Sequence, residues 1–385
     1  MLFLSWLACV PNSTDTEHLD SGSQTFPETP YTELLDQGVD RYFGTDQPAD
    51  VAEDAWGVRS HRFAVEADGP RCLYGTEFNT MTRDQGSDDL IIFLQGGGLC
   101  YSDLCIAVSS GGPGMPDIDI LDTVASFNPV ADWNQVYVPY CDGSLFGGDV
   151  DIDDDGDGVV DRYHRGLRNI SAALGVAVAS FPAPSRILLA GSSGGGYGTL
   201  IVTVLVRMTW PEAELFVFND AGVGLGVAGD PDFIWDIIEE FHAESIIPAS
   251  QASLLDGGHL TPMVGWQLSE DPKLSVSAFS HLWDYVISQM YLSVSVDDFE
   301  FWLREETDAL QKSHPGRYQS FLAEGSMHTT LLGDPSGFVD ADSSYYTLIA
   351  AMLGGMDTTS VSGVTIADWL DAFVSQDPEW TALSD

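Results

Sequence analysis

Ile187-Leu188-Leu189-Ala190-Gly191-Ser192-Ser193-Gly194-Gly195-Gly196-Tyr197-Gly198 is the stretch on which the reading of this chain turns. Ile187 to Ala190 form a short apolar run bounded by polar residues and glycines, the pattern of a strand buried on both faces. Gly191-Ser192-Ser193-Gly194-Gly195 fits G-x-S-x-G, a sharp strand-to-helix turn that lifts a serine out of the sheet as a nucleophile. The spacing has a steric cause. A residue at that strained position leaves no room for side chains two places to either side, and glycine removes them. Residues 199–208 continue as an apolar segment of helical length. Ser193 is therefore expected at the top of a sheet, with the positive end of a helix beneath it.

Upstream, Leu90-Ile91-Ile92-Phe93-Leu94 is a second continuous apolar run, expected as a buried parallel strand. It ends in Gln95-Gly96-Gly97-Gly98, a glycine cluster that lets backbone N–H groups approach a reacting oxygen. With the N–H of Gly194, Gly97 and Gly98 are candidate oxyanion-hole donors. Residues 134–140 read as another strand, 166–181 as a helix with Leu167, Ile170, Ala173 and Leu174 on one face, and Leu215-Phe216-Val217-Phe218 as a further strand. Residues 233–247 are a helix candidate inside a lid candidate, 223–272. Strands follow at 273–279 and 318–321, and a helix at 364–374 with Ile366, Trp369, Leu370 and Phe373 on one face. Near the start, 31–56 reads as a short helix and loop. Segments 61–65 and 71–82 read as strands joined by the turn Asp68-Gly69-Pro70. This βαβ alternation gives the fold class: α/β, hydrolase-like and doubly wound, with a mostly parallel central sheet flanked by helices. One domain over 31–385 is expected, preceded by a separate segment, 1–30.

A serine nucleophile needs a base, a group that orients the base, and an oxyanion hole. In α/β-hydrolases the acid and then the histidine follow the serine. Five histidines follow Ser193, and His328, just past the strand candidate at 318–321, has the best position for the base. Asp284, shortly after the strand candidate at 273–279, is the candidate acid. Asp220, which ends the strand after the nucleophile's own, is the rival acid or a pocket residue.

The whole-chain charge excludes some partners. The 385 residues carry 59 acidic and 14 basic side chains, a net charge of −45, and only Lys273 and Lys312 are lysines. Nucleic acid is excluded, because phosphate binding needs clustered cations. Electrostatic docking on an anionic membrane surface is excluded for the same reason. Met1-Leu2-Phe3-Leu4-Ser5-Trp6-Leu7-Ala8-Cys9 resembles a truncated bacterial lipoprotein signal, with Cys9 as the lipidated residue and a polar tether behind it. An exported protein, secreted or held at the cell surface through Cys9, is expected, and a monomer. The other four cysteines, Cys72, Cys100, Cys105 and Cys141, suit two disulfides, with three connectivities open.

Together these pieces resemble the pectin acetylesterase/Notum family of carboxylesterases. The resemblance runs through Leu94-Gln95-Gly96-Gly97-Gly98-Leu99-Cys100 with Cys105, Val138-Pro139-Tyr140-Cys141-Asp142-Gly143 and His164-Arg165-Gly166-Leu167-Arg168-Asn169. It continues through the elbow, Asn219-Asp220-Ala221-Gly222 and the His328 segment. It implies Ser193 as nucleophile, Asp284 as acid, His328 as base, and oxyanion donors at Gly97, Gly98 and Gly194. It also implies the disulfides Cys72–Cys141 and Cys100–Cys105, and hydrolysis of an O-acetyl ester of a polysaccharide or of a lipid-type acyl group on a protein. Two positions depart from the family pattern. Gly98 stands where an aromatic is frequent, and Gln95 where the family has Glu, so a differently shaped acyl pocket is expected.

Asp153-x-Asp155-x-Asp157-Gly158-x-x-Asp161 has the alternating carboxylates of an EF-hand-like calcium loop, although the twelfth position is His164 rather than a bidentate Glu. A structural calcium ion is expected there, against the alternative of a solvated acidic loop, and no cofactor is expected for catalysis. The functional expectation is a serine carboxylesterase acting through an acyl-enzyme on acyl, above all O-acetyl, esters. The alternative is a catalytically inactive, calcium-dependent surface protein that binds glycans on the same fold.

Overall fold

The computed structural model describes residues 30–44, 46–102, 104–112, 114–333, 347 and 350–385. The signal-like segment and Cys9 lie outside the described residues. Ten strands form one sheet: β1 (Asp50–Glu53), β2 (Val58–Arg62), β3 (Asn79–Arg83), β4 (Asp89–Leu94), β5 (Asn134–Val138), β6 (Arg186–Ser192), β7 (Glu214–Asp220), β8 (Leu274–His281), β9 (Tyr318–Ala323) and β10 (Leu383–Ser384). Their spatial order is β1-β2-β3-β5-β4-β6-β7-β8-β9-β10. Every pairing from β5 to β10 is parallel, and those among β1, β2, β3 and β5 are antiparallel. The expected fold class, a large mostly parallel sheet flanked by helices, is the one observed.

The central strands read as unbroken apolar runs because both their faces are covered. Leu90, Ile92 and Leu94 of β4, Ile187 and Leu189 of β6, and Leu215 and Val217 of β7 enter one core. Ile91, Phe93, Leu188, Ala190, Phe216 and Phe218 enter the other. The first core is shared with α2 (Gly166–Ser180) and α3 (Gly194–Thr209). The second is closed by α5 (Ile366–Val374), whose Trp369 and Phe373 meet Phe218 and Phe216 edge to face.

Three expectations are corrected at the margins. The strand read at 71–82 begins only at Asn79. Cys72 is bonded to Cys141, and the Leu73 N–H donates to the Cys141 carbonyl, so this stretch is tied to the loop after β5 and does not join the sheet. The hairpin therefore has no tight turn at Asp68-Gly69-Pro70. Phe63 N–H to Phe78 O, at 2.9 Å, closes a long irregular loop between β2 and β3. In 31–56, α1 (Thr32–Asp36) and a 3₁₀ turn (Val39–Tyr42) are followed by β1, an edge strand exposed at all four residues. In 233–247, α4 (Pro231–Glu240) stops at Phe241, before His242 with φ of 52°, and a 3₁₀ turn (Glu244–Ile246) follows.

Candidate active site

Ser193 has φ 56° and ψ −119°, a region that costs a non-glycine residue about 1–3 kcal/mol. Surrounding structure holds it there: its N–H donates to the Asp220 carbonyl at 2.8 Å, and its carbonyl accepts from Tyr197 N–H at 3.0 Å. The steric account of the flanking glycines holds. A Cβ on Gly191 would overlap the Gly195 carbonyl, and one on Gly195 would overlap the Leu94 carbonyl.

The loop after β9 brings His328 to the same site. Its Nδ1 lies 2.7 Å from Asp284 Oδ2, and Asp284 is fully buried on the loop after β8. Asp284 Oδ1 accepts from the Ile287 N–H at 3.1 Å, which fixes the carboxylate. His328 Nε2 is buried with no hydrogen-bond partner, and His328 and Ser193 line one cavity. That nitrogen is therefore free, and no hydrogen bond joins it to Ser193 in this conformation. Apo sites of this type often tighten only with substrate bound.

Asp220 is not the partner of His328. It accepts from Thr330 N–H at 3.0 Å, Leu331 N–H at 3.0 Å, Thr330 Oγ1 at 3.2 Å and Ser192 Oγ at 2.6 Å. One buried carboxylate thus ties the elbow, the end of β7 and the His328 loop together. Burial raises its pKa, and the hydrogen bonds from Ser192, Leu331 and Thr330 oppose that shift.

The glycine cluster packs on the elbow. A Cβ on Gly194 would stand 3.1 Å from the Gly98 carbonyl oxygen and 3.7 Å from the Gly97 nitrogen. As the first N–H of α3, Gly194 has no acceptor within its helix. Gly98 has φ of +88°, and a Cβ there would overlap the Ile106 carbonyl and come within 2.7 Å of the Tyr291 hydroxyl. Tyr291, from a π-helical turn at Val286–Tyr291, takes the space that an aromatic side chain at position 98 would use. Nothing in the sequence pattern singled out Tyr291, because a six-residue π-helical turn has no clear periodic signature.

Both disulfides, Cys72–Cys141 and Cys100–Cys105, are present. The second closes the hairpin of Gly98–Tyr101 with Leu104–Ala107, which begins at the glycine cluster. Behind it, His164 is fully buried. Its Nδ1–H donates to the Asp142 carbonyl at 2.9 Å, which sets the tautomer, and burial lowers its pKa to about 4. In the acidic loop, carboxylate oxygens of Asp153, Asp155 and Asp161 lie within 4.8 Å of one another, all exposed. Asp157 is outside that group, with Oδ1 accepting from the Val159 N–H at 2.8 Å.

Two cavities meet at Ser193. One is walled by Leu99, Leu145, Phe233, Ile234, Ile237 and Leu292, and Ser193, Gly194 and Gly98 also line it. The segment read as a lid contributes Phe233, Ile234 and Ile237 from α4, and Leu260. The other is lined by Gln95, Gly97, Ser193 and His328.

Fold and site define an α/β-hydrolase-like protein with a serine elbow. The family model described as pectinacetylesterase matches residues 63–229, so over that segment the chain is similar to that family. The match covers the glycine cluster, the elbow and Asp220, and ends before Asp284 and His328. It implies a carboxylic ester hydrolase. No curated protein matches the chain.

Proposed function

We propose that the protein is a serine carboxylesterase working through an acyl-enzyme. The observation that carries the reading is the convergence of Ser193, on its strained elbow, with His328, whose far nitrogen is held by the buried Asp284. Ser193 Oγ attacks the ester carbonyl as His328 Nε2 accepts its proton, and Asp284 stabilises the imidazolium. The N–H groups of Gly97, Gly98 and Gly194 receive the developing oxyanion. The tetrahedral intermediate then collapses, and the leaving alcohol takes the proton from Nε2. Water, activated by the same histidine, attacks the acyl-enzyme, and the acid leaves with Ser193 restored. Acetyl is the acyl group that the family description implies.

Replacing Ser193 by Ala is expected to remove p-nitrophenyl acetate hydrolysis. A variant within a few-fold of wild type would end the assignment. The two disulfides support an exported protein, with Cys9 as its lipid anchor. Calcium is proposed as a structural ion on Asp153, Asp155 and Asp161, because clustered carboxylates repel unless a cation sits among them. It is expected to raise the melting temperature and to register as uptake in calorimetry, and no change in either would refute it.

A further inference from the structure

Catalysis by Ser193 and His328 assigns the two cavities to the two sides of an ester. The leaving oxygen must receive its proton from His328, so the alcohol lies in the cavity that contains His328. The acyl group then enters the other cavity, which holds Ser193 and Gly194 but not His328. The acyl cavity is walled by aliphatic and aromatic side chains and has room beyond what a methyl group needs. The alcohol cavity is apolar too. Beyond the catalytic groups, its walls are mostly apolar, with Ile106, Val108, Met290, Leu332, Met352 and Leu353, and its other polar side chains include Gln95, Thr329 and Tyr291. Among the described residues, no Asp, Glu, Lys or Arg lines either cavity.

Charge points the same way. All fourteen Lys and Arg lie among the described residues. Twelve are in ion pairs with carboxylates. Arg71 donates to the Glu66 carbonyl, and Arg317 to the Asp271 carbonyl. A polyanionic chain such as a polyuronate approaching a protein of net charge −45 would therefore meet repulsion and no uncommitted cation. A neutral sugar would fare little better, because most of its hydroxyls would leave water for Ile, Val, Met and Leu side chains, with only Gln95, Thr329 and Tyr291 to bond them.

We infer that the substrate is an uncharged ester that is apolar on both sides: an acyl chain longer than acetyl, joined to an apolar alcohol. The inference rests on the serine esterase reading and specifies its substrate class. The test compares p-nitrophenyl esters from acetate to octanoate, then butyrate esters of methanol, octanol and glucose and an acetylated polygalacturonate, with Ser193→Ala as control. Over the first added carbons, kcat/KM is expected to rise about fourfold per methylene buried. The octyl ester is expected to exceed the methyl ester, with the glucose ester and the polygalacturonate slowest. Val108 is 38% exposed, so Val108→Asp at the rim of the alcohol cavity leaves the core intact. It is expected to lower the octyl-to-methyl ratio several-fold. Serine-dependent activity that is best on acetate, or as fast on polygalacturonate or glucose butyrate as on octyl butyrate, would overturn this inference and leave the esterase standing. An unchanged ratio in Val108→Asp would overturn the assignment of the alcohol side. Hydrolysis that survives Ser193→Ala would remove the esterase reading itself.

Discussion

Asp220 and Asp284 are both fully buried carboxylates at the ends of neighbouring parallel strands, and only one touches an imidazole. Asp284→Asn would hold His328 in the wrong tautomer, and kcat is expected to fall by about 10³–10⁴ with little change in melting temperature. Asp220→Asn turns an amide toward the backbone N–H groups it now satisfies. About 1–3 kcal/mol of stability is expected to go, with the smaller loss of kcat. Steady-state kinetics and thermal melts of both variants check this, and a larger kcat loss at Asp220 would reverse the roles. His164 carries a pH dependence. Its folded pKa is about 4 against 6.5 for a free imidazole, so its neutral form contributes stability above pH 6.5 that is lost as pH falls toward 4. Between pH 7 and pH 5 the loss attributable to it is about 2 kcal/mol, and His164→Gln is expected to abolish that part of the slope in urea titrations. The strained turn at Ser193 was legible because its backbone demands a local glycine pattern. His328 was placed by chain order, and Asp284 by its position after the strand at 273–279 and by the family resemblance, with Asp220 left as a rival that the strand pattern alone does not remove. Both aspartates follow apolar strands, and what separates them is how the loop after β9 folds back, a tertiary fact without a sequence period.

Among the elements, the two disulfides act differently. Cys72–Cys141 spans 69 residues, and removing it with paired Ser substitutions is expected to cost about 4 kcal/mol on a chain-entropy estimate. Cys100–Cys105 spans 5, and its removal is expected to cost about 2 kcal/mol. The shorter one closes the hairpin that begins at Gly98, so its loss is expected to lower kcat more. Denaturant melts and kinetics of the two double variants test this, and the opposite pairing of effects would refute it. The central strands and α2, α3 and α5 were legible because two-sided burial and helical periodicity leave plain apolar patterns. The edge strands β1 and β10 were not. β1 is exposed at every residue and β10 has two residues, so neither carries a hydrophobic signal. The misread strand at 71–78 has strand-like residues, but a covalent tie overrides them.

At the scale of the whole molecule, the sheet carries the site along one edge of its parallel strands. The ends of β4, β6, β7, β8 and β9 deliver the glycine cluster, Ser193, Asp220, Asp284 and His328 in turn, as the switch-point rule for open α/β sheets requires. The acidic surface leaves every cation committed, and the two cavities at the serine are uncharged. The proposed hydrolysis therefore hinges on Ser193 as its nucleophile. Its most direct test is labelling of the intact protein with a fluorophosphonate, followed by peptide mapping and residual ester hydrolysis. The expected result is one adduct per chain, on Ser193, with activity lost in proportion. Hydrolysis that persists with Ser193 fully modified, or an adduct formed only elsewhere, would contradict it.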